Sequence, residues 1–253
     1  MRRWTWVGAS CRGTAHERDG SRKQDAYRCR LSSDSAKFIV ATVADGAGSA
    51  THSRAGAALT TRIITSRAVA HLSDTSRLPS DDLVHEWVDE IRDRLRIAAE
   101  KRQLQLRNFA TTLVALIALD SEVITIHCGD GAIAAKPYGS VVWETLSWPK
   151  QGEYASSTYF LTDDPAPALR INRHQMDLEG FALFSDGIER LALDFANQTA
   201  YQPFFGGMFA PLEKAVTYGR QISLSTALGA YLSSAAVNAR TDDDKTLVLA
   251  LRK

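Results

Sequence analysis

The sequence predicts a single α+β domain spanning residues 1–253, and three observations carry that expectation. Short apolar runs rich in β-branched and aromatic residues recur along the whole chain. Two amphipathic helices stand among them without the strict strand–helix alternation of a parallel sheet. No linker-like shift in composition divides the chain, whose 253 residues suit one large domain.

Taken in order, the first run, Trp4–Ser10, is short, Trp-rich and broken by Thr and Ser, so it reads as a strand rather than a leader. Phe38–Ala44 is a second strand. A helix begins near Ser53 and continues to Leu72, with Leu59, Ile63 and Val69 near helical spacing. Ser80 is the N-cap of another, with Asp81 and Asp82 in its first turn and Val84, Val88, Ile91 and Leu95 on one face. Strands follow at Thr111–Leu119, Val123–Cys128, Val141–Leu146, Gly180–Phe184 and Thr246–Leu251. Between them, Ser147–Ile171 is weakly patterned and reads as a flap or substrate loop, with Asp163, Asp164, Pro165 and Pro167 marking a loop. Phe204–Gly207 reads as a loop, and a third helix is expected around Pro211–Leu232. Several strands are apolar on both faces, as expected for a sheet covered by another sheet on one side and helices on the other.

Composition narrows the function. A 45% hydrophobic and 23% charged chain has material for a sizeable core. Its net charge of +1 gives no basic excess for nucleic acid or an anionic membrane. No stretch approaches the ~18 apolar residues of a membrane span. Cys11, Cys29 and Cys128 are odd in number, widely spaced and free of any C-x-x-C pattern, which suggests neither a disulfide framework nor a zinc site. The expectation is a soluble, cytoplasmic protein.

Chemistry enters through a repeated pattern, an apolar run followed by Asp-Gly. It occurs at Asp45-Gly46, Asp130-Gly131 and Asp186-Gly187; Asp242, Asp243 and Asp244 immediately precede the last strand, and Asp25 stands alone upstream. Asp-Gly is a common hairpin signal, because glycine tolerates positive φ. Carboxylates at the ends of neighbouring strands can instead converge on a cation, and oxygen-only ligands favour Mg²⁺ or Mn²⁺. Both readings are open on spacing alone. If the second holds, the start of the helix after Asp45 adds an anion site, and metal-assisted phosphoryl chemistry follows. A cysteine phosphatase would need an arginine six residues after its nucleophile; Glu17, Ser35 and Ala134 occupy those positions. Neither a P-loop nor a G-x-S-x-G elbow is present.

Seven segments, in this order, resemble the metal-dependent protein phosphatase 2C family and its bacterial serine/threonine branch. They are Gly13–His16 (GTAH), Gln24–Ala26 (QDA), Val43–Ala50 (VADGAGSA), Phe109–Leu116 (FATTLVAL), Cys128–Gly131 (CGDG), Leu183–Ile188 (LFSDGI) and Thr241–Leu251 (TDDDKTLVLAL). The resemblance implies a four-layer αββα sandwich of two mainly antiparallel sheets flanked by helices. It further implies that Asp45 bridges two Mn²⁺ or Mg²⁺ ions with the Gly46 carbonyl on one of them. Asp186 and Asp243 would hold the other ion, and Asp130 with Asp186 a third. Asp25 would lie near the phosphate, and a metal-bridging water would attack phosphorus. Thr112 matches a supporting position. The implied substrate is phosphoserine or phosphothreonine in a protein, opposing a serine/threonine kinase.

The chain also departs from the family pattern. Gln24 replaces a common acidic residue, and Gly20 stands where many members have a phosphate-binding arginine, leaving Arg18 or Arg22 as substitutes. Ala47 follows Asp-Gly where animal members have histidine, which makes His16 the candidate acid; His52 reads as a helix-start residue. Asp244 replaces a usual asparagine. Three other readings stay open: a catalytically weak regulatory binding module on the same fold, a hydrolase of small phosphate esters, and a two-metal nuclease, the last opposed by the near-neutral charge.

Overall fold

A computed structural model describes residues 2–34, 36–150 and 158–253. The elements in chain order are β1 (Trp4–Cys11), α1 (Thr14–Arg18), β2 (Ala26–Leu31), β3 (Phe38–Ala44), α2 (Ser53–Thr75) and α3 (Asp81–Glu100). After a 3₁₀ turn at Leu106–Phe109 come β4 (Leu113–Leu119), β5 (Glu122–Cys128), β6 (Ala132–Pro137), β7 (Glu144–Ser147), β8 (Arg170–Gln175) and β9 (Leu178–Phe184). The chain continues through α4 (Asp186–Ala192), β10 (Leu193–Asp194), β11 (Thr199–Ala200) and α5 (Gln202–Glu213). It ends with β12 (Gly219–Arg220), α6 (Ile222–Leu232), α7 (Ala235–Asn238) and β13 (Lys245–Arg252).

Two large sheets result. One runs β2-β3-β4-β5-β8 and is antiparallel throughout; the other runs β12-β1-β13-β9-β6-β7 and is antiparallel except for the short β1–β12 pair. The two-residue period of a strand sorts each apolar run into two layers. Ile39, Ala41 and Val43 of β3 join Val114, Leu116, Phe181, Leu183, Val248 and Ala250 between the sheets. Phe38 and Val40 of the same strand pack with Ile63, Ile64, Trp87 and Ile91 of α2 and α3. Across the molecule, Phe184, Leu247 and Leu249 meet Phe205, Phe209, Leu228 and Leu232 of α5 and α6. Three apolar layers separate four layers of structure, the expected αββα sandwich. Each fully buried Leu, Ile or Phe contributes about 1.5–3 kcal/mol, so runs buried on both faces set the layer order.

Some elements differ from expectation. Phe204–Gly207 is helical, within α5, because Phe204, Phe205, Phe209 and Leu212 bury one face while Gly206 and Gly207 lie on the open one. Burial outweighs the roughly 1 kcal/mol cost of each helical glycine. The helix expected around Pro211–Leu232 is two helices, α5 and α6, parted where Gly219 takes φ +83°. The strand expected from Val141 begins at Glu144, with Val141 89% exposed. Within Ser147–Ile171, residues 151–157 lie outside the described residues. The N-cap at Ser80 forms as expected, its hydroxyl accepting from the Leu83 amide.

Candidate metal centre

None of the three Asp-Gly pairs is a hairpin turn. Asp45 ends β3 on the way to α2, Asp130 lies where the chain crosses from β5 in one sheet to β6 in the other, and Asp186 opens α4 after β9. Strand ends from both sheets therefore meet at one edge of the sandwich. There one carboxylate oxygen each from Asp45, Asp130 and Asp186 lie within 4.8 Å of one another. The surrounding pocket is lined also by His16, Gln24, Gly46, Ala47, Thr112, Thr158, Phe160 and Asp243.

The backbone of Asp45 is fixed from three directions. Its amide donates to Thr112 Oγ1 at 2.9 Å, and its carbonyl accepts from the Thr112 amide at 2.8 Å and Thr111 Oγ1 at 2.9 Å. Thr112 is thus the support expected of it, and the Asp45 side chain is left to face the pocket. Asp25 is buried, with Oδ2 accepting from Ser185 Oγ at 2.7 Å. Asp130 accepts from the Thr158 hydroxyl. Asp243 lines the pocket at its exposed rim, outside the tight trio, and one of its oxygens accepts from the Asp244 amide at 2.7 Å.

Withdrawal from water, then repulsion by Asp25 and its other acidic neighbours, pushes the Asp45 carboxyl well above its usual range. Asp186 is raised in the same way by burial and by Asp130, Asp243 and Asp25. Burial also raises Asp25 and Asp130, and lifts Glu189, a residue without a sequence signal, to about 7 with repulsion from Asp130 adding to it. Asp186 Oδ1 and Asp25 Oδ1 are buried without a hydrogen-bond partner among the described residues. Converging hard oxygens, orphaned acceptors and uncompensated negative charge are what a divalent cation would relieve, so the donor set fits Mg²⁺ or Mn²⁺.

Asp244, which the sequence marks only as a departure, organises the other wall. It is 1% exposed. Oδ1 accepts from the Gly13 amide at 2.7 Å and lies 3.0 Å from His16 Nδ1; Oδ2 accepts from the Gln24 amide at 2.5 Å and the Asp25 amide at 3.4 Å. One carboxylate thus joins the segments carrying His16 and Asp25. Two glycines permit the approach: a Cβ on Gly187 would lie 2.0 Å from the Asp244 carbonyl oxygen, and one on Gly13 2.3 Å from the Asp243 carbonyl carbon. Gly187→Ala is therefore expected to destabilise the fold by about 1–3 kcal/mol, read from the midpoint of urea unfolding. An unshifted midpoint would contradict this packing.

Arg92, 6% exposed on α3, fixes the returning end of the weakly patterned stretch. Its Nη1 donates to the Leu161 and Asp163 carbonyls at 2.6 and 2.7 Å, which places Thr158 and Phe160 against the pocket. Arg18 instead pairs with Asp242 in solvent, and His52 caps α2 without a side-chain cap bond.

The family model for protein phosphatase 2C matches residues 12–233. Serine/threonine-protein phosphatase 3 of Escherichia coli (strain K12) is 36% identical over 255 residues, covering 98% of each chain. A crystal structure of a bacterial serine phosphatase superposes with a TM-score of 0.66 at 14% identity, over 97% of this chain and 96% of that one. The structure of a serine/threonine phosphatase from Staphylococcus aureus does so at 0.62 and 15%, over 99% and 95%. These structures share the fold; the family match and the 36% relative carry the kinship. By its sequence across almost the whole length and by its sandwich with acidic strand ends, this chain belongs to the protein phosphatase 2C family and is a phosphatase.

Proposed function

We propose that residues 1–253 form one catalytic domain that removes phosphate from phosphoserine and phosphothreonine in proteins, using Mn²⁺ or Mg²⁺. The observation that carries this is the meeting of Asp45, Asp130 and Asp186 from both sheets, with a buried oxygen on Asp186 that has no partner among the described residues. Asp45 and the Gly46 carbonyl, with Asp186 and Asp243, would hold a pair of ions, and Asp130 with Asp186 a third. When bound, such ions neutralise the phosphoryl oxygens and supply an activated water as nucleophile.

The chain's own groups supply positioning and protons. Asp25, held by Ser185, orients a group beside Asp45. Asp244 engages Nδ1 of His16, which fixes the ring and leaves Nε2 to donate a proton to the departing serine or threonine oxygen. Thr112 holds Asp45 in place throughout. A cytoplasmic setting opposite a serine/threonine kinase belongs to the same proposal. No helix among the described residues is long and apolar enough to cross a membrane.

The test is hydrolysis of an aryl phosphate and of phosphoserine peptides with added Mn²⁺. Turnover is expected to vanish on chelation and return when Mn²⁺ is restored. Wild type showing neither turnover nor Mn²⁺ binding by calorimetry would end the reading.

A further inference from the structure

We propose that a groove beside the metal centre is a second anion subsite, one that selects phosphopeptides bearing another negative group next to the phosphorylated residue. The inference rests on the phosphatase reading above and specifies its substrate. The groove encloses about 560 Å³, and Arg22, Gln24, Gly48, His52, Ser53 and Arg54 are among its walls. Gln24 and Gly48 line the metal pocket as well, so the two cavities share a border.

Their charges oppose one another. The metal pocket is walled by Asp45, Asp130, Asp186 and Asp243, whereas the groove has two arginines and a histidine and, among the described residues, no acidic side chain in its lining. Arg22 and Arg54 are exposed, and among the described residues neither has a hydrogen-bond or ion-pair partner. Arg18, Arg67 and Arg173, likewise exposed, each do, with Asp242, Glu90 and Asp81. Arg54 lies in the first turn of α2, where amides and the helix dipole favour an anion. Ser53, beside it in the lining, is 1% exposed and its hydroxyl has no partner among the described residues. His52 is fixed by Thr51 Oγ1 at 3.0 Å and by the Phe109 ring at 5.1 Å between centroids, so the wall is preformed.

An extended peptide advances about 3.3 Å per residue, so a phosphoserine at the aspartates brings its near neighbours to this border. A carboxylate or a phosphate on such a neighbour would meet the guanidinium groups, which bind both bidentately. The acidic pocket that the metals neutralise is thereby extended by a basic one that reads the flanking sequence.

The experiment compares kcat/KM for phosphoserine peptides with neutral flanks, with a glutamate at each flanking position in turn, and with a second phosphoserine there; an aryl phosphate reports basal turnover. Wild type is expected to prefer an anionic flank by about tenfold, through KM, with the preference declining as salt rises. The glutamate and phosphoserine arms tell which anion is favoured. The ratio should fall to near one in Arg22→Ala/Arg54→Ala, and Arg54→Glu should favour lysine-flanked peptides instead. Wild-type ratios near one at every position, or a ratio unmoved by Arg54→Glu, would overturn the subsite while aryl phosphate turnover upheld the phosphatase. Absence of aryl phosphate turnover in wild type would overturn both.

Discussion

Asp45→Asn is expected to lower Mn²⁺-dependent turnover about a thousandfold or more and, in the metal-free protein, to raise the melting temperature. The two effects have one cause. Asp45 is withdrawn from water among Asp25, Asp186 and Asp243, and its carboxyl is held well above the ordinary range. A carboxyl with a raised folded-state pKa stabilises the fold below its unfolded value of 3.8, and that contribution is lost as pH rises through the folded value. At neutral pH without metal, wild type therefore carries a repulsion that asparagine lacks. With Mn²⁺ the order reverses, because binding adds about 2.7 kcal/mol of stability at a hundred times Kd and the variant loses the anionic ligand. Thermal unfolding in chelator and in Mn²⁺, over a series of pH values, checks the inversion. A variant less stable than wild type under both conditions would show that Asp45 is held by packing rather than suspended for a cation.

Asp244→Ala is expected to be the most destabilising single change around the site, by about 3 kcal/mol or more. It removes the acceptor of the Gly13, Gln24 and Asp25 amides and the partner of His16, in a place that is 1% exposed. Each buried donor left unsatisfied costs about 1–3 kcal/mol. Asp244→Asn separates the parts of this effect. Its carbonyl oxygen replaces Oδ1 for Gly13 and His16, but its amide opposes the donors that Oδ2 now receives. An intermediate loss is expected, with His16 kept in place. Denaturant midpoints for the pair, read beside the alkaline limb of the pH–rate profile, distinguish scaffold from proton donor. Full stability in Asp244→Ala would remove Asp244 as the joint of the site.

Much of the sandwich can be read from local pattern. Phe38–Ala44 forms the strand expected of it residue for residue, and α2 starts at Ser53 as expected. The missed strands lack the pattern for physical reasons. Arg170–Gln175 is an edge strand with no buried residue, Ala26–Leu31 places arginines among its apolar positions, and Ala132–Pro137 is rich in alanine, a weak strand former. At the site, Asp45, Asp130 and Asp186 are legible because an apolar run ending in Asp-Gly is a local signal repeated three times. Ser185, Arg92 and Asp244 are not. Ser185 meets Asp25 across 160 residues of chain, and Asp244 meets Gln24 across 220. Nothing near either residue encodes that partner.

The crossing of the chain at Asp130 has a mechanical consequence. Asp45 belongs to the end of one sheet, Asp186 to the end of the other, and Asp130 to the segment between them. On the proposed reading, a cation shared by them is a rivet through two plates, and its grip depends on how closely the plates are clamped. Reciprocity of linked equilibria makes the effect mutual: whatever the ions add to the joining of the sheets, a loosened joint subtracts from their affinity. Val43 and Leu183, buried between the sheets two and three residues before Asp45 and Asp186, are then determinants of metal affinity although neither can touch an ion.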